Sequence, residues 1–284
     1  MTRCAYVLMH FGSNIKYLEY EMYTIIMLRS ISKHDIVYMY SIVDTPDIFV
    51  EKIKDMNVKT FGFDDSIIYN KSKEFTSLYN HFNLLRISCF VYANLLTDYK
   101  KVCIVESDII LYKGFQNVFK LNTPAAYFHH STKEKSLENF KKIINSKEVL
   151  NTCTNKDKSL INGGVLLFEP DKDIFPKFYK LLDVMIQKRC IFPNEAIYVL
   201  LYDEIYNIPI NYNMRRFTNY PEITIYGRHF DCYPHKPLDI IKDGYADKIK
   251  IVVTKESVLY FKKKYYDKHN KKISEIMKDV LKKI

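Results

Sequence analysis

Short, nearly unbroken apolar runs in this chain each stop at a polar turn, and a segment of helical periodicity follows. Ala5-Tyr6-Val7-Leu8-Met9-His10-Phe11 ends at Gly12-Ser13-Asn14, after which Ile15, Leu18, Met22, Ile25 and Ile26 recur at helical spacing. Asp35 to Val43 repeats the run, Asp44-Thr45-Pro46-Asp47 has turn chemistry, and Phe49 to Met56 predicts a second helix. Asn57 to Phe63 predicts a third strand. Leu78, Phe82, Leu85, Cys89, Tyr92 and Leu96 then place one apolar face on a long amphipathic helix that feeds the buried strand Lys101-Val102-Cys103-Ile104-Val105. Strands alternating with helices predict an α/β chain with a largely parallel sheet, helices on both faces, and a ligand site at the carboxyl ends of the strands.

Further along, residues Ser131 to Ser159 are polar and rich in Lys and Asn, which predicts an exposed insertion with some helix. Leu160 to Phe168 reads as strand on both sides of Gly163-Gly164, where a double glycine marks a bulge or a close backbone approach. Helices at about Asp173 to Arg189 and Asn194 to Tyr206, a strand at Asn207 to Ile210 and a helical end from about Lys255 complete the pattern, with no internal repeat. The expected organisation is one domain over residues 1–244 and a basic helical extension over 245–284.

Composition narrows the functional classes. A chain of 284 residues, 48% apolar and with 42 Phe plus Tyr, buries a sizeable core and is not disordered throughout. No uncharged stretch approaches the ~20 apolar residues that span a bilayer, and the amino terminus lacks a signal-peptide pattern, so a cytoplasmic location is expected. Six dispersed cysteines with no C-x-x-C pair predict reduced thiols rather than a disulfide framework or a structural zinc site. The net charge of +10 is concentrated at one end, because residues 245–284 hold twelve lysines against five acids. A general nucleic-acid face is therefore not expected, and contact of the tail with an anionic membrane or an acidic partner stands beside a simply solvated face. High use of Ile, Lys, Asn and Tyr fits an AT-rich genome, as in some protists, bacteria and large DNA viruses.

The chemistry is expected at Glu106-Ser107-Asp108. Two carboxylates at i and i+2 where the chain leaves a buried strand can converge on one hard divalent cation, and such a cation would hold a diphosphate; the bland reading is a solvated turn. Around this triplet the sequence resembles the glycogenin-like retaining glycosyltransferases, glycosyltransferase family 8, which have the GT-A fold. Tyr99 to Leu111 is similar to the family's strand running into its D-x-D motif, with Glu106 in the first acidic place, and Ile161 to Pro170 to its N-[SAG]-G-V strand. Pro193-Asn194-Glu195-Ala196 stands where an Asp-Gln pair begins a helix, Ile208 to Arg215 resembles L-P-x-x-Y-N, and His229 to Pro237 resembles H-[FY]-x-G-x-x-K-P. The last segment departs from the pattern: it lacks the glycine, carries one extra residue, and has Leu238 where Trp is common.

The resemblance implies a UDP-sugar donor, most simply a UDP-hexose such as UDP-glucose, a Mn or Mg ion on Glu106, Asp108 and His229, and transfer with retention to a glycan, protein or small-molecule acceptor. It implies nucleotide contacts at Ser13, Asn14, Tyr17, Arg86, Ser107 and Lys236, sugar contacts at Asn162, Gly163 and Gly164, and positions near the reacting centre for Asn194 and Glu195. Each has a structural alternative: Ser13 and Asn14 as helix caps, Arg86 as a surface salt bridge, Asn162-Gly163 as a turn, Asn194 as an N-cap. His10 and His129-His130, without carboxylates at ligand spacing, read as structural or exposed. Self-glycosylation of one of the 24 tyrosines and a homodimer are both compatible with the resemblance. Two rivals stand against an enzyme: a nucleotide-sugar-binding protein without turnover, motivated by Glu106, Asn194 and the altered last motif, and a basic adaptor for membrane or nucleic acid using the tail.

Overall fold

A computed structural model describes residues 3–73, 88–128, 141–143, 161–187, 193–202, 204–215, 220, 222–230, 236–246 and 249–284. Its centre is an eight-stranded sheet of β1 (Cys4–His10), β2 (Asp35–Ser41), β3 (Lys59–Phe63), β4 (Lys101–Val105), β6 (Ala125–Phe128), β7 (Lys141–Ile143), β8 (Ile161–Phe168) and β9 (Glu204–Asn207), in the order β3-β2-β1-β4-β8-β6-β9-β7. Strands β3, β2, β1 and β4 are mutually parallel; β8 runs antiparallel to β4 and β6, and β7 antiparallel to β9. A small second sheet joins β5 (Ile109–Leu111) to β11 (Gly227–His229), which pairs in turn with β10 (Met214–Arg215).

The pleat divides the core into two layers. Tyr6 and Leu8 of β1 point into one layer, while Ala5 and Val7 point into the other. The first layer is covered by α1 (Ile15–Ile31), α2 (Asp47–Lys54) and the C-terminal helices; the second is covered by Ile68 of α3 (Ser66–Lys73), the 3-10 segment Ser88–Leu95, α4 (Phe175–Gln187) and α5 (Pro193–Leu201). With both faces covered, the central strands are apolar throughout rather than alternating, which is why they read as unbroken runs in the sequence.

Three elements differ from the sequence reading. The end of the expected long helix, Ser88–Leu95, is a 3-10 helix, and residues 74–87, including Arg86, lie outside the described residues. Helix α5 stops at Leu201, and the strand that follows it is Glu204–Asn207 rather than 207–210. This strand is short because Pro209 has no N–H to offer a neighbour. The expected insertion lies outside the described residues except for β7.

After α6 (Pro237–Lys242), the basic end forms α7 (Val252–Phe261), a π-helical turn at Lys262–Tyr266, and α8 (Asp267–Leu281). Its apolar face is integral to the core: Phe261, Tyr265, Ile273, Met277 and Val280 are buried, Tyr23 of α1 meets the rings of Phe261 and Tyr266, and Ser30 bonds the Tyr265 hydroxyl. Lysines occupy the other face, as an amphipathic helix requires. Among the described residues no helix is long and apolar enough to cross a membrane. Cys4 and Cys103 are free thiols, and the side chains of the other four cysteines lie outside the described residues.

Candidate metal and donor site

The carboxyl ends of β1 and β4 open on the same edge of the sheet. Strand β4 ends at Val105, and the chain turns through Glu106-Ser107-Asp108 into β5. Both flanks of this turn are pinned by backbone: the Glu106 amide donates to the Gly164 carbonyl at 3.0 Å, and the Phe230 amide donates to the Asp108 carbonyl at 3.2 Å. Because β5 pairs with β11, His229 lies opposite Ile109 and beside Asp108. Topology thus brings a histidine 121 positions downstream onto the acid-x-acid turn.

Ligand atoms of Glu106, Asp108 and His229 all lie within 4.8 Å of one another. His229 Nε2 is 3.0 Å from Glu106 Oε2 and 3.1 Å from Asp108 Oδ1, yet neither contact has hydrogen-bond geometry, and Asp108 Oδ1 and both His229 ring nitrogens are buried without a hydrogen-bond partner. Buried polar atoms left this way are costly. A cation bonded at about 2.1–2.6 Å would satisfy Asp108 Oδ1 and one ring nitrogen of His229 together, and two carboxylates with an imidazole form a donor set suited to Mn or Mg. The residues therefore fit a divalent metal. Lys236 bonds Asp108 through its other oxygen, Oδ2, and also donates to the Phe230 carbonyl at 3.2 Å.

The charges are strongly coupled. Burial pushes the Asp108 carboxyl up, but His229 and Lys236 outweigh it and hold the group well below the usual carboxylate range. Burial pushes His229 down, and Asp108 with Glu106 overcomes it, raising the imidazole to about 10. A proton on His229 thus occupies the position in the charge balance that a bound cation would take.

Opposite this cluster runs β8. Its pairing with β6 skips from Ala126↔Leu166 to Tyr127↔Asn162, so Gly163, Gly164 and Val165 form an irregularity, as the double glycine predicted, and Asn162-Gly163 is strand rather than turn. A Cβ on Gly164 would stand 2.5 Å from His229 Cε1 and 3.0 Å from Asn162 Oδ1; only hydrogen fits there. Asn162 is buried, and its Oδ1 accepts from the Gly164 amide at 3.0 Å and from Asn213 Nδ2 at 2.7 Å. Asn194 lies across from Gly163, where a Cβ would be 3.4 Å from its Nδ2, and half-buried Glu195 follows it in the first turn of α5.

The first loop lies on the other side. Gly12 has a φ of +78°, Ser13 is exposed, and Asn14 caps α1 by accepting from the Lys16 amide at 3.1 Å. Tyr17 is half exposed and close enough to Lys236 to influence it electrostatically. The Ser107 carbonyl accepts from Thr24 of α1 at 3.3 Å, tying this helix to the acidic turn. Of the residues expected from sequence, Glu106, Asp108, His229 and Lys236 meet in one cluster, Gly164 and Asn162 adjoin it, and Asn194 adjoins Gly163. Arg86 lies outside the described residues. Asn213, which orients Asn162, lies in the Ile208 to Arg215 segment but is not among the site residues expected from sequence, and neither is the polar cluster of His10, Glu21 and Asp44 around the first loop, whose members are spread over three elements.

Solved structures share this architecture. The apo structure of the bifunctional glycosyltransferase WbbM matches with a TM-score of 0.54 at 13% identity, over 90% of this chain and 51% of that one. The apo form of glycosyltransferase GlyE from Streptococcus pneumoniae TIGR4 matches with a TM-score of 0.53 at 16% identity, over 92% of this chain and 64% of that one. Galactosyltransferase LgtC, in complex with donor and acceptor sugar analogs, matches with a TM-score of 0.54 at 11% identity, over 92% of this chain and 96% of that one. The chain has the GT-A fold. It spans about half of WbbM and just under two thirds of GlyE. No protein-family model matches the chain, and no curated protein matches it in sequence.

Proposed function

We propose that this protein is a metal-dependent retaining hexosyltransferase that moves glucose from UDP-glucose to a glycan, protein or small-molecule acceptor. The observation that carries the reading is the convergence of Glu106, Asp108 and His229, with the unbonded buried atoms of Asp108 and His229, beside Gly164 on a fold shared with glycosyltransferases. Manganese or magnesium held by these three residues would neutralise the diphosphate as it becomes the leaving group. Lys236 adds positive charge at the same place, Asp108 Oδ2 keeping its ammonium beside the metal ligands until a phosphate oxygen competes for it.

Ser13, Asn14 and Tyr17, with Ser107 and Arg86, are assigned to the nucleotide, the first three because they open α1 at a strand end, where amides and side chains can meet a nucleotide. Asn162, whose carbonyl accepts from Gly164 and Asn213, is assigned to the sugar hydroxyls, with Gly163 and Gly164 allowing close approach. Asn194 can orient an acceptor but cannot take its proton. Transfer with retention then proceeds at the front face: the bond from anomeric carbon to phosphate oxygen breaks, the acceptor oxygen bonds to that carbon on the same side, and its proton passes to the departing phosphate. Residues 1–244 would carry this chemistry, with 245–284 as a basic extension whose lysine face could rest on anionic lipid.

The test is UDP release from a panel of UDP-sugars, with Mn²⁺ and with EDTA. Release from UDP-glucose that EDTA abolishes supports the reading. Metal-dependent UDP binding with no transfer to any acceptor would favour a binding protein without turnover, and absence of UDP binding would refute both.

A further inference from the structure

His10 ends β1 as a fully buried side chain whose two ring nitrogens both face oxygens. Nδ1 lies 2.8 and 3.0 Å from the Glu21 carboxylate of α1, and Nε2 lies 3.0 Å from the Gly12 carbonyl. A carbonyl only accepts, and so does a carboxylate, so the ring satisfies both by carrying two protons. The same glycine is held from its other side by Asp44, beyond β2, which accepts from the Gly12 amide at 2.9 Å. Tyr38 of β2 and Phe49 of α2 close around the imidazole, with ring centroids at 5.8 and 5.4 Å, and Tyr38 also faces Glu21. Glu21, Asp44 and Tyr38 are the titratable groups that face this ring.

This is more than a strand-end cap needs. Gly12 is in the left-handed region, where glycine has many alternatives, and two acidic side chains from different elements are spent, directly and through His10, on fixing its carbonyl and its amide. Burying an ion pair costs desolvation, which a device that only ended a strand could avoid by using a neutral side chain.

We propose that the His10–Glu21 ion pair, with Asp44, is the positioning device of the donor-binding loop, holding Phe11 to Asn14 in the shape that receives the nucleotide. This rests on the assignment of the loop to the nucleotide. His10 acts through Gly12 and need not touch the donor.

Glu21→Gln keeps the volume but removes the charge that keeps the second proton on His10. A neutral ring that still donates Nδ1–H to the new amide oxygen turns an Nε2 lone pair toward the Gly12 carbonyl, and the clamp opens. Two readouts on the full chain test this: hydrogen exchange of Phe11 to Asn14, and calorimetric binding of UDP with Mn²⁺. Faster exchange confined to the loop is expected, with UDP affinity about tenfold weaker, donor KM raised equally and kcat nearly unchanged. Wild-type UDP affinity should fall as pH rises through the titration of His10, and Glu21→Gln should move that fall to lower pH. Asp44→Ala, at a half-buried turn, should give the same loop exchange and KM change without touching the core. If wild type binds UDP and both variants bind it equally well with unchanged loop exchange, the positioning role is overturned while the proposed function stands; if wild type does not bind UDP, both are overturned.

Discussion

Gly164→Ala is a one-carbon perturbation whose consequence follows from the geometry of the site. Gly164 has an ordinary extended backbone, so alanine there carries no conformational penalty, and in an open strand it would be mildly stabilising. Its Cβ, however, would stand 2.5 Å from Cε1 and 2.6 Å from Nδ1 of His229. Ordinary carbon contacts begin near 3.5 Å, so ring and strand must separate by about 1 Å. His229 cannot easily yield, because it is fully buried and its backbone is pinned between β5 and β10. Overpacking of this kind costs about 1–3 kcal/mol, which lowers the melting temperature by several degrees. The displacement also exceeds the roughly 0.2 Å tolerance of a metal–ligand bond, so Mn²⁺ affinity should fall by at least about tenfold. Gly163→Ala is the internal control, since among the described residues its Cβ would meet only Asn194 Nδ2, at 3.4 Å, and it should leave stability and Mn²⁺ affinity close to wild type. Melting curves with Mn²⁺ titration by calorimetry read both effects. A Gly164→Ala protein with wild-type melting temperature and Mn²⁺ affinity would refute the placement of His229 against β8 as a metal ligand.

Asp108→Ala should abolish metal-dependent UDP binding while the protein remains folded, as read by circular dichroism and calorimetry; full UDP release from UDP-glucose by this variant would sink the metal assignment. Asn162→Ala should weaken UDP-glucose more than UDP, and equal losses for the two ligands would remove Asn162 from the sugar. Removal of Val252 to Ile284 should leave an unfolded or aggregating protein, because Phe261, Tyr265, Ile273, Met277 and Val280 would leave the first core layer uncovered; a folded, monomeric truncation seen by size exclusion and circular dichroism would contradict this. For His10, burial lowers the pKa, but Glu21 overcomes it and leaves the group above its ordinary value of 6.5. The pair therefore contributes stability that is fully present below about pH 6.5 and lost as pH rises through the higher folded value. Urea unfolding across that window should show the loss in wild type and a smaller loss in Glu21→Gln.

Local patterning determined much of this protein. The apolar runs of β1, β2, β4 and β8 were visible because a sheet covered on both faces demands unbroken hydrophobic strands, and Glu106-Ser107-Asp108 stood out because the site of such a sheet lies where those strands end. Asn162, His229 and Lys236 were reached only by resemblance, and Gly164 was legible only as a bulge or close backbone approach, since no spacing in the chain shows that residues 108, 164 and 229 are neighbours. Tertiary structure decided that. The pairing of β5 with β11 carries His229 to Asp108, and the absence of a Cβ at Gly164 lets β8 close against it. The same holds for the 3-10 form of Ser88–Leu95, where packing against α5 overrides a helical period, and for the basic end, whose lysines dominate the sequence while its buried aromatics complete the core. The His10 clamp left no signal in the sequence: a lone histidine in an apolar run reads as core, and the carboxylates facing it come from α1 and from the turn after β2. Periodicity is a property of the chain within one element, whereas a buried charge is specified by partners that only folding brings within 3 Å.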